Sequence, residues 1–319
     1  MDGIDTTEAL ALLATEGPEI YDLLARAGRL RHERAGQAID TCGIVNARSG
    51  NCDQDCAFCS QAKGSRADID RYPLMSADQM IDAGRKAARQ RVHRFSVVTA
   101  GKGVHRDEHV DRICRALEEV RASTGISTCA SLGHVGQDAL TRLREAGVTR
   151  YHHNLEAAQS FFPQICTTRR WCESVETVEQ AKGAGFEVCV GGIFGMGESI
   201  EQRVELLDEI RRLGPDSVPL NFLHPIAGTP LQDLSELTPL DCLKIIAVAR
   251  LMIPDREIRI GGGREHNLRD LQSWIFLAGA DGVLIGHYLT TSGRIVEDDL
   301  QMIHDNALSV HPAEAELRR

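Results

Sequence analysis

Three thiols, Cys52, Cys56 and Cys59, lie close together in the stretch CDQDCAFC with the spacing C-x3-C-x2-C. A structural zinc site closes four ligands around its metal, whereas a reactive metal keeps one position open to a small molecule. In a four-iron cluster held by cysteine thiolates, three protein ligands leave one iron free. Three thiols therefore suit chemistry better than architecture. The alternatives are a zinc site completed by a distant fourth ligand, and three reduced cysteines in a loop.

A second set of reactive or polar side chains interrupts β-rich apolar runs: Ser96, Cys129, Asn154, Cys189, Asn221 and Arg259. Burying an amide or a guanidinium without partners costs several kcal/mol, so a plain packed interior would prefer Val, Ile and Leu there. Something polar is expected to fill the space these residues face. The alternative is that each faces a helix or is satisfied locally.

The elements that must position both sets are legible. After a helical pattern over residues 5–35, eight β-rich runs recur at 42–47, 93–100, 126–132, 150–154, 186–193, 216–222, 256–262 and 281–286. Between them lie amphipathic patterns. In DEHVDRICRALEEVRAST, Val110, Ile113, Leu117 and Val120 recur at helical spacing, and in SADQMIDAGRKAARQ, Ser76 and Gln79 suit a capping box. Repeated strand-helix units imply parallel strands and right-handed crossovers. The expected fold is α/β, a (β/α)8 TIM-type barrel, with residues 1–39 as an N-terminal helical extension and 40–319 as the barrel domain with a C-terminal tail. An open or partial barrel is the alternative. In such barrels chemistry sits at the C-terminal ends of the strands, and the three-cysteine loop directly follows the first run.

Bulk properties narrow the function classes. The 319 residues carry 36 Lys and Arg against 46 Asp and Glu, a net charge of −10 with no basic face, so nucleic acid is not an expected partner. No apolar run approaches the roughly 18 residues of a membrane span, and the acidic start lacks the basic region of a signal peptide. The chain reads as cytoplasmic. Ten cysteines in such a chain are expected to be metal ligands or reduced core residues, not disulfides.

The C-x3-C-x2-C spacing, with Phe58 just before the last cysteine, resembles radical S-adenosylmethionine (SAM) enzymes. The five ordered motifs NARSGNCDQDCAFCSQ, RYHHNLE, EVCVGGIFGMGES, DSVPLNFLHPIAGTPL and EIRIGGGREHNLRDLQ narrow the resemblance to the biotin synthase family, over about residues 40–292. The resemblance implies a [4Fe-4S] cluster held by Cys52, Cys56 and Cys59, with SAM on the open iron. Reduction would release a 5′-deoxyadenosyl radical that takes hydrogen from dethiobiotin, and an auxiliary iron-sulfur cluster would donate the sulfur that makes biotin.

By position, the resemblance implies that Asn154, Glu156, Gly191, Gly192, Ile193, Gly195 and Glu198 contact SAM. His152 and Asn221 would contact the substrate, Asn221 through the ureido ring of dethiobiotin. The GGIFGMGE segment follows the fifth run instead of opening a first βαβ unit, which argues against a dinucleotide loop. Where the family usually reads Y-N-H-N-L-D, this chain reads Tyr151 to Glu156 as YHHNLE, with His152 for Asn and Glu156 for Asp.

The auxiliary cluster commonly has three strand cysteines and an arginine; the matching positions are Ser96, Cys129, Cys189 and Arg259, so one thiolate is missing. A serine oxygen is a harder and poorer ligand. Cys166, in FFPQICTTRRWC, is the expected replacement. Cys129, Cys166 and Cys189 would then ligate an auxiliary cluster of unspecified nuclearity, with Arg259 at its edge; the alternative is a buried apolar Cys166. Cys129, Cys189 and Arg259 are also the expected catalytic groups for sulfur transfer.

Arg264 is ambiguous, Cys42 is undecided, Cys172 opens a helix, and Cys114 and Cys242 read as core residues. Rival functions are sulfur insertion into another aliphatic chain, as in lipoyl formation, a radical SAM reaction without sulfur transfer, and a plain electron carrier. The resemblance further implies a homodimer and a low-potential electron donor such as flavodoxin or ferredoxin.

Overall fold

The computed structural model describes residues 3–311; the first two residues and the expected C-terminal tail from 312 lie outside the described residues. Among the described residues ten strands form: β1 (Ala38–Arg48), β2 (Arg94–Thr99), β3 (Ser127–Ser131), β4 (Arg150–His152), β5 (Glu187–Cys189), β6 (Gly192–Phe194), β7 (Ser217–Phe222), β8 (Glu257–Ile260), β9 (Gly282–Leu284) and β10 (Ser309–Val310). All neighbouring strands pair in parallel, and β1 pairs with both β2 and β9. The barrel is therefore closed.

Each of the eight expected runs supplies one stave. The fifth is split: β5 and β6 are separated at Val190 and Gly191, and both pair with β7. The reason lies at Gly191, where an added Cβ would sit 1.8 Å from the Pro219 carbonyl oxygen. Only glycine lets the two backbones come that close.

The crossover helices follow the expected patterns. Ser76 and Gln79 form the reciprocal capping box at the start of helix Ala77–Arg89, and Val110, Ile113, Leu117 and Val120 are the buried stripe of helix Asp107–Thr124. Helices Thr6–Leu13 and Glu19–Ala35 pack on helices Ile200–Leu213 and Pro239–Met252, and Arg34 pairs with Asp281 at the start of β9. They lie toward the N-terminal ends of the strands, away from the three-cysteine loop. β10, a strand the sequence pattern did not announce, extends the sheet by pairing with Ala38 and Ile39.

Candidate active site in the barrel lumen

The segment after β1 is a tight loop built by its own aspartates. Asp53 Oδ1 accepts the Lys102 N–H at 2.8 Å, which ties the loop to the chain after β2. Asp55 Oδ1 accepts the Thr167 and Thr168 N–H groups at 2.9 and 3.2 Å, which ties it to the chain after β4. Gln61 closes the far side: its carbonyl accepts the Cys52 N–H and its amide oxygen accepts the Gly50 N–H. The polar residues of CDQDC thus hold the loop across the barrel mouth, and Cys52, Cys56 and Cys59 all line the cavity beneath it.

That cavity, about 430 Å³, runs down the lumen. Strand alternation puts Cys42 and Ile44 of β1, Arg94, Ser96 and Val98 of β2, and Cys129 and Ser131 of β3 on its wall. Arg150, His152, Asn154 and Glu156 follow from β4 and the turn after it, then Cys189, Ile193, Asn221 and Arg259. The structure brings together every expected polar strand residue.

The lower lumen is charged. Asp40 Oδ1 accepts from Arg259 Nη2 at 2.6 Å and Oδ2 from Arg94 Nε at 2.9 Å; Glu257 meets Arg150 at 3.3 Å and also Arg259. Burial pushes the Asp40 carboxyl up, but Arg259 beside it, with His93 and Arg94, holds it well below the usual range. Three guanidiniums (Arg94, Arg150, Arg259) meet three carboxylates, the buried Asp40 and Glu257 and the half-exposed Glu187, which pairs with Arg150 at 3.0 Å, so the charges at the foot of the cavity are matched.

Some polar groups of the cavity wall are unpaired. Ser96 Oγ, Arg259 Nη1 and Arg169 Nε are buried and make no hydrogen bond among the described residues. Each such group costs about 1–3 kcal/mol unless something bound satisfies it. Among the described residues no three His, Cys, Asp or Glu side chains converge to hold a single metal ion. A cluster does not require that convergence, since its cysteines are spread over several irons. Thiols around a shared cavity and orphaned donors on its wall fit an iron-sulfur cluster better than zinc.

The upper wall is held by a ladder of amides. Asn154 Oδ1 accepts the Gly191 N–H at 3.2 Å while its Nδ2 donates to Glu156 at 3.3 Å. Asn221 Nδ2 donates to the Gly192 carbonyl at 3.1 Å and its Oδ1 accepts the Gly262 N–H at 2.8 Å. Each amide keeps one N–H and one lone pair for a ligand. Glu156 has φ +69°, rare for a residue with a side chain, and its carbonyl accepts from Ile193 N. Burial raises its carboxyl, against the nearby Arg169 guanidinium. Burial lowers His152 to about 4, so its imidazole is neutral at pH 7.

Several expectations need correction. Cys166 does not reach the space between Cys129 and Cys189. It is buried at the rim, where its Sγ donates to Asp55 Oδ1 at 3.3 Å and lies in hydrogen-bonding contact with Cys56, because the chain after β4 turns up under the three-cysteine loop. It does not line the cavity. Glu198 is also turned away: its carboxylate accepts the Gly195 and Met196 N–H groups at 2.7 Å and pairs with Arg203, folding the GIFGMGE turn from behind. Of that segment only Ile193 lines the cavity, and Gly191, Gly192 and Gly195 serve close backbone packing. Arg264 is structural, bidentate to buried Asp299.

Sequence reasoning missed Arg94, Arg150 and Arg169, all cavity-lining, and left Cys42 undecided. Arg94 and Arg150 begin their strands, and even spacing from Ser96 and His152 was the available signal.

Known proteins fit this architecture. Residues 47–210 match the model of the Radical SAM superfamily, and residues 219–309 match the Biotin and Thiamin Synthesis associated domain. The chain is 51% identical to biotin synthase of Geobacter sulfurreducens, over 96% of this chain and 93% of that one. It is 47% identical to biotin synthase of Heliobacterium modesticaldum, over 97% and 94%. In fold it resembles methylornithine synthase, with a TM-score of 0.82 at 20% identity over 99% and 96% of the two chains. It also resembles the FeFe-hydrogenase maturase of Carboxydothermus hydrogenoformans, with a TM-score of 0.83 at 16% identity over 97% and 76%. The lumen thiols, the three-cysteine loop above them and near full-length identity to these relatives make the chain a member of the biotin synthase family.

Proposed function

We propose the following division of the lumen for a radical SAM enzyme that inserts sulfur into dethiobiotin to give biotin. The observation that carries it is one cavity lined at its mouth by Cys52, Cys56 and Cys59 and at its foot by Cys129, Cys189 and Arg259. The mouth cysteines hold the [4Fe-4S] cluster, with Asn154, Glu156 and Ile193 around SAM; the foot residues hold the auxiliary cluster. When bound, these groups supply the 5′-deoxyadenosyl radical and the sulfur atom.

The chain's own work is placement. Glu156, whose carboxyl burial raises against the opposing pull of Arg169, presents two oxygens suited to hydrogen bonds with ribose hydroxyls. Asn221 offers its spare N–H and lone pair to a cyclic urea, which has both a carbonyl and N–H groups. Neutral His152, opposite Cys189 on the next stave, donates or accepts without adding charge. The closed barrel and the loop across its mouth exclude water from a reactive intermediate.

On this reading the protein works in the cytoplasm, as a homodimer, and takes electrons from flavodoxin or ferredoxin. Among the described residues no helix is long and apolar enough to cross a membrane. Exposed Tyr21 and Leu277, flanking Trp274, offer an apolar patch that a second copy would cover.

The test is an anaerobic incubation of reconstituted protein with SAM, dithionite and dethiobiotin, with 5′-deoxyadenosine and biotin counted by mass spectrometry. Both products are expected, and replacing Cys52, Cys56 or Cys59 with Ala should abolish both. Deoxyadenosine without biotin would refute the sulfur-insertion assignment for this substrate and turn the search to octanoyl chains.

A further inference from the structure

The auxiliary site lacks a thiolate at Ser96, and the position of Cys166 at the rim leaves that lack unanswered. The remaining cysteines can be sorted by place. Cys52, Cys56 and Cys59 belong to the loop; Cys129 and Cys189 are in the lumen; Cys114, Cys172 and Cys242 lie on helices and do not line the cavity. Of ten cysteines, only Cys42 is left, and it lines the same cavity as Cys129, Cys189 and Arg259.

Its position on β1 is the relevant one. β1 and β2 are neighbouring staves, with Cys42 opposite Arg94 and Ile44 opposite Ser96. Cys42 and Ser96 are thus diagonal neighbours on the lumen face, with Cys129 opposite Ser96 on the next stave. A thiol moved from Ser96 to Cys42 shifts by one strand and one pleat and still faces the same space. Among the described residues the Cys42 Sγ makes only a 3.8 Å contact with the carbonyl of Gly43, so no other bond there holds it away from the lumen.

Two independent observations mark that space as a ligand site. Ser96 Oγ and Arg259 Nη1, in residues more than nine-tenths buried, have no hydrogen-bond partner among the described residues and line the cavity beside Cys42.

We propose that Cys42 is the third thiolate of the auxiliary cluster, with Cys129 and Cys189, and takes the ligand role that Ser96 leaves open. The proposal rests on the biotin synthase reading of the lumen and completes its ligand set. Ligation exchanges the S–H bond for an S–Fe bond; the proton leaves to solvent, no electrons are transferred, and the unpaired Arg259 Nη1 is available to donate to the cluster.

The experiment is anaerobic reconstitution of the full chain with ferrous iron and sulfide, followed by iron and sulfide analysis and electron paramagnetic resonance. The proteins compared are the parent and the variants Cys42→Ala, Cys129→Ala, Cys166→Ala and Cys114→Ala. Cys42→Ala and Cys129→Ala should both fall to the four irons of the radical SAM cluster, while Cys166→Ala and Cys114→Ala keep the parent's content. Full iron in Cys42→Ala with loss in Cys129→Ala overturns the Cys42 assignment and leaves the family reading standing. Full iron in both overturns the auxiliary site itself. If Cys42→Ala does not fold, Cys42→Ser preserves its shape. A cluster with shifted g values supports ligation by residue 42, and unchanged g values refute it.

Discussion

Replacing Arg259 with Met tests whether the lumen floor is a matched set of charges. Arg259 Nη2 bonds both Asp40 and Glu257, and all three side chains are buried. Methionine matches the length of the aliphatic stem and removes the charge, leaving two buried carboxylates with fewer cations. Removing one partner of a buried ion pair costs about 3–5 kcal/mol, because the other charge stays in a poor dielectric. Unfolding entropy near 2.1 cal/mol/K per residue gives about 0.7 kcal/mol/K for 319 residues, so the melting temperature of the cluster-free protein should fall by about 4–7 °C. Scanning fluorimetry under argon reads this directly. Arg94 and Arg150 remain near the two carboxylates and place the expected loss toward the lower end. Adding Glu257→Gln should return part of the loss, since it removes one stranded charge. A shift under about 1 °C, or a double variant less stable than the single, would refute the claim that Arg259 neutralises this floor, leaving its presence to cluster binding alone.

Asp55→Ala should loosen the three-cysteine loop. It removes acceptors for the Thr167 and Thr168 N–H groups and for Cys166, so proteolysis within residues 52–66 should speed up at least several-fold and reconstituted iron per chain should fall; unchanged values would refute the tie. Gly191→Ala places a Cβ 1.8 Å from the Pro219 oxygen, and the strand separation needed should cost about 1–3 kcal/mol and weaken SAM binding, read by thermal unfolding and equilibrium dialysis. Glu209 supplies a pH prediction away from the site. Burial pushes its carboxyl up to about 8, with Glu205 adding to the rise, so its folded value lies above the unfolded one. The folded state then holds a proton the unfolded state has lost, and stability contributed by this group falls as pH rises from about 4.5 to 8. Glu209→Gln should flatten that fall, and an unchanged slope in urea midpoints across this range would show that Glu209 titrates normally.

The sequence by itself determined the staves, their order and the chemistry of the mouth. Alternation of β-rich runs with helical stripes is a local property, and each of the eight runs became a stave, with the capping box at Ser76 and the stripe of Val110 to Val120 in place. The three-cysteine spacing is local too, and CDQDC carries the aspartates that fold its own loop. Where the strand cysteines meet is not local. Whether Cys42 or Cys166 shares a space with Cys129 depends on barrel closure through β1 and β9 and on the upward turn of the chain after β4. The same closure gathers Arg94, Arg150 and Arg259 around two carboxylates, though each reads alone as an ordinary strand residue. Glu198, which resembles a cofactor ligand in its motif, is claimed by two backbone amides and Arg203 once the turn is formed. Tertiary structure decided these assignments because side-chain partners from strands far apart in sequence become neighbours only when the ring of staves closes.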